Sequence, residues 1–201
     1  MTEWEKAQKG YLYDANYDKE IVESRTRCAD LCYEYNNCKP SDTEKKERLL
    51  KEMLGSIKGT PIVTVPFYCD YGVNISVGEN FYTNYNVTIL DGAKVTFGDN
   101  VFIAPNCVFT TAGHAIDSEQ RSLGLEIALP ITIGDCVWIG TNVSVLPGVT
   151  IGSNTIIGAG SVVNKDIPEG VIAAGNPCKV IRKITEADKN KYPIFQNKEA
   201  E

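Results

Sequence analysis

The sequence predicts a mainly β protein: a coiled parallel β-solenoid, preceded by a helical N-terminal segment and interrupted by one protruding loop. Three observations carry this. From Ile133 onward an aliphatic residue returns at every sixth position, as Ile133, Ile139, Val145, Ile151, Ile157 and Val163, with glycine behind most of them, at Gly134, Gly140, Gly152 and Gly158. An α-helix repeats its buried face every 3.6 residues and a strand every 2, so a period of six requires short strands, separated by sharp corners and stacked on their own earlier copies. The fifth place of each hexad holds Val137, Val143, Val149, Thr155 and Ser161, small or β-branched side chains that fit a corner of such a coil. Before residue 60 helix signals take the place of the hexads.

The N-terminal segment, residues 1–59, is expected to be helical. Thr2 with Glu5 and Ser41 with Glu44 have the S/T-x-x-E form of a capping box, and Pro40 separates one helix from the next. Ile21, Cys28, Cys32 and Tyr35 fall at helical spacing, and Leu49, Leu50, Met53, Leu54 and Ile57 form the apolar side of the following helix. The open end of a solenoid exposes unpaired backbone groups and core, so a covering segment has a structural duty. Asp14 lies between the helices on a loop beside three tyrosines, a composition suited to hydrogen bonding and stacking on a sugar. The plainer reading is that it caps the helix starting near Asp18.

The coil is expected over residues 60–184. Its rhythm is looser upstream, at Val77, Ile89 and Val95 and then Phe97, Ile103 and Phe109, with Thr83 the weak member. If three hexads make one turn, a face returns every 18 positions, as from Ile133 to Ile151; Val77 to Phe97 runs two residues longer. Phe97 to Ile133 is 36, one turn plus 18, so residues 115–132 are expected to leave the coil as a loop. A loop this long inside a compact domain is usually functional or disordered. Residues 185–201 form a C-terminal tail.

With 201 residues and 43% hydrophobic content, one packed core is well supplied, and no low-complexity linker divides the chain. The net charge of −6 argues against nucleic acid as the main partner, although Lys179, Arg182 and Lys183 make a local basic patch. The N-terminus is charged, without the apolar stretch of a secretion signal, and no run of about 18 apolar residues occurs. A cytoplasmic protein without a membrane partner is expected. Seven cysteines make an odd count that argues against a disulfide framework. Cys28, Cys32 and Cys38 do not reproduce a CxxC pair, and with a single histidine in the chain no metal is expected.

That histidine, His114, ends the hexad starting at Phe109, directly before the excursion. Imidazole is the usual general base near neutral pH, and a junction of wall and loop is where a crevice forms. The alternative is a hydrogen-bonded structural histidine.

The segments NFYTNYNVTILDG (80–92), GDNVFIAPNC (98–107), TAGH ending at His114, PITIGDCVWIGTNVSVLPGVTIG (130–152), GAGSVVNKDIP (158–168) and AAGNPCKVIRKI (173–184) resemble the maltose/galactoside O-acetyltransferase group of the hexapeptide acyltransferases. The resemblance covers residues 2–184, including a helical N-terminal segment that other hexapeptide enzymes lack. It implies a left-handed parallel β-helix, an exception to the right-handed crossover rule, assembled as a homotrimer with active sites between subunits. Each site would take acetyl-CoA along the coil and a sugar of maltose, glucose or galactoside type near the loop.

Carried over by position, His114 resembles the family's catalytic base and Asn84 the partner that orients the acceptor. Asp14, Asp70 and Asp91 match acceptor-contacting positions, and Glu126 a position near the histidine in some members. Trp138 would line the pantetheine or acetyl channel, and Thr141 would offer a backbone N–H to the thioester oxygen. Ala159, Asn164, Lys165 and Arg182 would contact CoA, with Lys179 a further basic group for its phosphates. Asp70 stands where galactoside-type members can have serine, Ala115 where proline is frequent, and Asn164 where threonine is common, so acceptor choice can differ. Two other readings stay open: an antibiotic O-acetyltransferase and a non-catalytic hexapeptide scaffold. A γ-type carbonic anhydrase needs three histidines, and this chain has one.

Overall fold

A computed structural model describes residues 1–193; residues 194–201, the end of the expected tail, lie outside them. The hexads build a three-sided coil whose successive turns pair in parallel. The first face stacks Ser56–Ile57, Ile75–Val77, Val95–Phe97, Ile131–Ile133 and Thr150–Ile151. The second stacks Ile62–Val63, Tyr82–Thr83, Phe102–Ile103, Trp138–Ile139, Ile156–Ile157 and Val171–Ala174, and is closed by the antiparallel Lys179–Lys183. The third stacks Phe67–Cys69, Val87–Leu90, Val108–Thr110, Ser144–Val145 and Val162–Val163.

Every hexad aliphatic from Ile133 to Val163 points inward and is buried, as are the fifth-place residues Val137 to Ser161. Thr83, the weak member, is fully buried too, and its Oγ1 has no hydrogen-bond partner among the described residues. Corners need residues that tolerate positive φ, and asparagine supplies most of them. Asn80, Asn100, Cys136 and Asn154 follow the first face, with φ of 53 to 58°, and Asn86, Asn106 and Asn142 follow the second, at 57 to 60°. The amides also stack from turn to turn: Asn80 Nδ2 donates to Asn100 Oδ1 at 3.0 Å, and Asn86 Nδ2 to Asn106 Oδ1 at 2.9 Å.

Turn length changes at a single corner. Ile57, Val77 and Phe97 pair in succession, twenty residues apart; Phe97 then pairs with Ile133, and Ile133 with Ile151, eighteen further on. The two extra residues of the early turns sit between the third face and the first, where Asp70–Tyr71 and Asp91–Gly92 stand. The long excursion leaves from the same corner one turn later.

At the N-terminus, α1 (Glu3–Gln8) starts with the predicted Thr2/Glu5 capping box. Helix α2 (Lys19–Asn36) is capped by Asp18, and α3 (Thr43–Met53) by Asp42, whose Oδ1 accepts from the Lys45 N–H at 3.2 Å. Ser41 stands one residue too early for that role. Helix does not persist to residue 59 as expected: it ends at Met53, and the chain enters the coil at Ser56–Ile57. Gly55 makes this entry possible, because a Cβ there would lie 2.0 Å from the Val73 carbonyl oxygen. Cys28, Cys32 and Tyr35 of α2 and Leu49, Leu50 and Met53 of α3 join the core of the coil in one apolar cluster. Each such large side chain contributes about 1.5–3 kcal/mol by leaving water, so the cover is part of the fold.

The excursion is not an irregular loop. Ala112–His114 and Leu125–Ala128 form an antiparallel hairpin, with a short helix α4 (Ser118–Ser122) at its tip. Leu125–Ala128 also pairs with Tyr13–Asp14, so Asp14 lies on a strand rather than a loop. The apolar later half of the excursion thus reads as the middle strand of a three-stranded sheet tying the N-terminal segment to the coil. The coil resumes at Ile131, fully buried against Val95, before the expected end of the excursion at residue 132. Among the described residues no helix is long and apolar enough to cross a membrane.

Candidate active site

The corner between the third and first faces gathers polar side chains from separate stretches of chain. Arg25 of α2, Asp70, Tyr71, Thr110, His114 and Glu126 line a cleft of about 280 Å³. His114 ends its strand directly opposite Glu126 in the hairpin. It is exposed, and among the described residues its ring makes no hydrogen bond within the chain, unlike a buried histidine held by its surroundings.

The carboxylates around it differ in state. Tyr13, fully buried on the neighbouring strand, donates its hydroxyl to Glu126 Oε2 at 3.3 Å, and burial together with the Glu126 charge pushes the phenol pKa up, so it stays a donor. Asp70 is pushed up to about 6, by burial first and then by the charges of Asp91 and Glu126, against the pull of Arg25. It can therefore serve as donor or acceptor near neutral pH. Asp91 lies wholly inside: Oδ1 accepts from the Asp70 and Tyr71 N–H groups at 3.1 and 2.9 Å, and Oδ2 from Asn74 at 3.3 Å. Burial raises its pKa against these donors. Asp91 thus stands behind the cleft and fixes the backbone that presents Asp70. Asp14 Oδ1 accepts from the Asn16 and Tyr17 N–H groups at 3.0 and 2.9 Å. It does not cap α2, and its carboxylate is partly exposed beside Tyr13.

A different edge carries the other expected residues. At the corner between the second and third faces, Asn84, Ala104, Gly140 and Gly158 each donate a backbone N–H one turn onward, to Ile103, Ile139, Ile157 and Ala173, at 2.8 to 2.9 Å. Ala104, Gly140 and Gly158 follow Asn84 in this column, so the edge carries a track of small residues along the coil. Packing enforces glycine at Gly140, where a Cβ would meet the Ala159 backbone nitrogen at 2.7 Å. Thr141 and Ala159 lie along this track, and the Thr141 N–H has no acceptor within the chain among the described residues. Trp138, 52% exposed, stands outward on the second face beside Phe102.

Lys179 and Arg182 belong to the closing strand of that face. Arg182 holds Asp188 through two bonds of 2.8 and 2.7 Å, which keeps the Asp188 carboxyl well below the usual carboxylate range. Asn164 and Lys165 are exposed at the other corner, after Val162–Val163, on the side of His114. Within one chain the expected residues therefore fall into two groups. His114, Asp70 and Glu126 meet at one corner, while Asn84, Trp138, Thr141, Ala159, Lys179 and Arg182 lie on or beside the second face.

The sequence reading passed over Arg25 and Tyr71, and met Tyr13 only as one of the three tyrosines beside Asp14. Arg25 had a legible signal: it falls four after Ile21 and three before Cys28, a charge inside the apolar stripe of α2. Tyr71 had none beyond its proximity to Asp70.

The maltose acetyltransferase hexapeptide capping motif matches residues 6–59, and the bacterial transferase hexapeptide family, as six repeats, matches residues 130–165. A putative acetyltransferase of Saccharomyces cerevisiae is 59% identical over 179 residues, which is 89% of this chain and 91% of that protein. The galactoside O-acetyltransferase of Escherichia coli is 48% identical over 188 residues, covering 94% of this chain and 92% of that one. The chain belongs to the galactoside/maltose O-acetyltransferase family. A galactoside acetyltransferase solved in complex with coenzyme A superposes with a TM-score of 0.88 at 45% identity, covering 100% of this chain and 99% of that one. Membership makes the protein an acyltransferase, and the stretch matched by the family's capping motif runs from the second half of α1 through α2 and α3.

Proposed function

We propose that the protein transfers the acetyl group of acetyl-CoA to a hydroxyl of a sugar of maltose, glucose or galactoside type, with His114 as general base. The observation that carries this is an exposed imidazole, without a hydrogen bond among the described residues, on the rim of a cleft lined by Arg25, Asp70, Tyr71 and Glu126. Those side chains offer both donors and acceptors, as a polyol requires. A sugar hydroxyl is a weak nucleophile at neutral pH, so His114 accepts its proton as the oxygen bonds to the thioester carbonyl carbon. The Thr141 N–H, without an acceptor among the described residues, stabilises the developing oxyanion. As the carbon–sulfur bond breaks, the imidazolium returns its proton to the departing thiolate of CoA. Asp14, Asp70 and Glu126 position the acceptor; Asp91 acts through the backbone of Asp70 and Tyr71.

Acetyl-CoA lies along the track of small residues beside Thr141 and Ala159; that the related galactoside acetyltransferase was solved with coenzyme A supports the choice of cofactor. Trp138 covers its pantetheine end, and Lys179 and Arg182 serve its phosphates, Arg182 by exchanging Asp188 for phosphate; Asn164 and Lys165, at the His114 corner, reach the CoA held by the neighbouring chain. The two corners of one chain do not meet, and this supports a homotrimer in which His114 of one chain faces Asn84 and the acetyl-CoA track of the next. The outward apolar side chains Ile62, Phe102 and Trp138 of the second face suit such an interface. Seven cysteines without a disulfide suit the reducing cytoplasm. The test is acetyl-CoA with a panel of maltose, glucose, a thiogalactoside, chloramphenicol and serine, following thiol release. Release with the sugars is expected, and release only with chloramphenicol or serine, or with none, overturns the reading.

A further inference from the structure

Three cysteine sulfurs with no part in acetyl transfer meet where the helical cover rests on the coil. Cys28 and Cys32, one turn apart on α2, face Cys69 at the end of Phe67–Cys69. The Cys69 sulfur is 3.4 Å from that of Cys28 and 3.9 Å from that of Cys32, and all three sulfurs lie within 4.8 Å of one another. The thioether sulfur of Met53, on α3, is 3.9 Å from Cys32 Sγ. The third cysteine is thus Cys69, far along the chain, while Cys38 turns back to the Glu34 carbonyl at 3.2 Å.

These distances have a chemical meaning. Three thiolates on one ion at tetrahedral angles, with metal–sulfur bonds of about 2.3 Å, sit about 3.8 Å apart. The protein holds its sulfurs near that spacing, and all four sulfur residues are at least 91% buried, so water has little place among them. Zinc in structural sites takes four cysteine or histidine ligands, whereas thiolates joined by a thioether select monovalent copper. Access exists: a cavity of about 260 Å³, bounded by Tyr33, Asn36 and Tyr68, opens onto Cys32 and Cys69.

We propose that Cys28, Cys32 and Cys69, with Met53 as a weaker fourth ligand, form a binding site for one copper(I) ion between the helical cover and the coil. Binding replaces the thiol protons by the metal, without change of oxidation state. It ties α2 to the strand that leads into Asp70, one residue beyond Cys69.

The test is anaerobic titration of the reduced full-length protein with copper(I) against bicinchoninate, with X-ray absorption on the product. One ion per chain and a shell of sulfur alone at about 2.3 Å are expected. Cys28→Ser, Cys32→Ser and Cys69→Ser should each weaken binding by more than about 100-fold, beyond what loss of a supporting group outside the ligand set costs. Cys136→Ser, at an exposed thiol, should leave binding unchanged. Circular dichroism and CoA binding check that each variant folds; if one does not, the wild-type absorption spectrum decides alone. Nitrogen or oxygen in the shell, displacement of copper(I) by equimolar zinc, or a Cys28–Cys69 disulfide formed in air by a protein that takes up no copper when reduced would each overturn the proposal.

Discussion

Mixing two inactive variants tests where the active site is assembled. His114 and Asn84 stand at different corners of the coil, with the whole third face between them. If His114 of one chain works with Asn84 of the next, His114→Ala and Asn84→Ala remove different halves of the same site. Co-refolded in equal amounts, the chains distribute at random, and a site is intact when the chain giving histidine and the chain giving asparagine both carry the native residue. Each condition holds half the time, so about a quarter of wild-type transfer should return in a cyclic trimer, from two parents that are each nearly inactive. The assay is thiol release from acetyl-CoA with the preferred sugar, scanned over mixing ratio, with a maximum at equal amounts. A mixture whose rate stays at the average of its parents at every ratio would refute the between-chain site. Sedimentation of the unmixed protein as a monomer near 22.1 kDa would do the same.

His114→Ala alone should lower acetyl transfer by about 10² to 10⁴, roughly 2.7 to 5.4 kcal/mol of transition-state stabilisation, while melting temperature and CoA affinity stay near wild type. A large drop in melting temperature with undiminished specific activity would mark the histidine as scaffold. Thr83→Val removes a buried hydroxyl that has no partner among the described residues and should stabilise the protein by about 1 kcal/mol, read as a rise of roughly 2–4 °C in melting temperature. Asp91→Ala strands the Asp70, Tyr71 and Asn74 amides and should cost about 2–4 kcal/mol in denaturant unfolding, with CoA binding retained because the track lies at another corner.

The aliphatic period of six was enough to place the coil and its buried columns, because each column answers to a single requirement, burial; the departure expected at residue 115 comes earlier, where the hairpin strand begins at Ala112. The corners were written as plainly in Asn80, Asn86, Asn100, Asn106, Asn142 and Asn154, but only the backbone shows that left-handed φ asks for asparagine there. The excursion escaped because the partner of Leu125–Ala128 is Tyr13–Asp14, more than a hundred residues earlier, and no local pattern announces a strand whose neighbour is so distant. Asp91 looked like Asp70 in the sequence; their separation into buried support and cleft wall depends on which carboxylate the backbone amides surround. The meeting of Cys69 with Cys28 and Cys32 follows from the way α2 lies against the third face, which spacing along the chain does not record.

Confining every change of turn length to one corner has a consequence for diversification. In an ordinary sheet a one-residue slip turns every side chain to the opposite face, so insertions must respect parity. Here an insertion at the corner after the third face ends before the next strand begins, and the strands on either side keep their neighbours whether two residues or eighteen are added. On the proposed reading, the wall facing the acceptor can thus lengthen, shorten or change composition while the edge that carries Asn84, Thr141 and Ala159 keeps its turn length. Variation and constancy of length are placed on different corners of one prism.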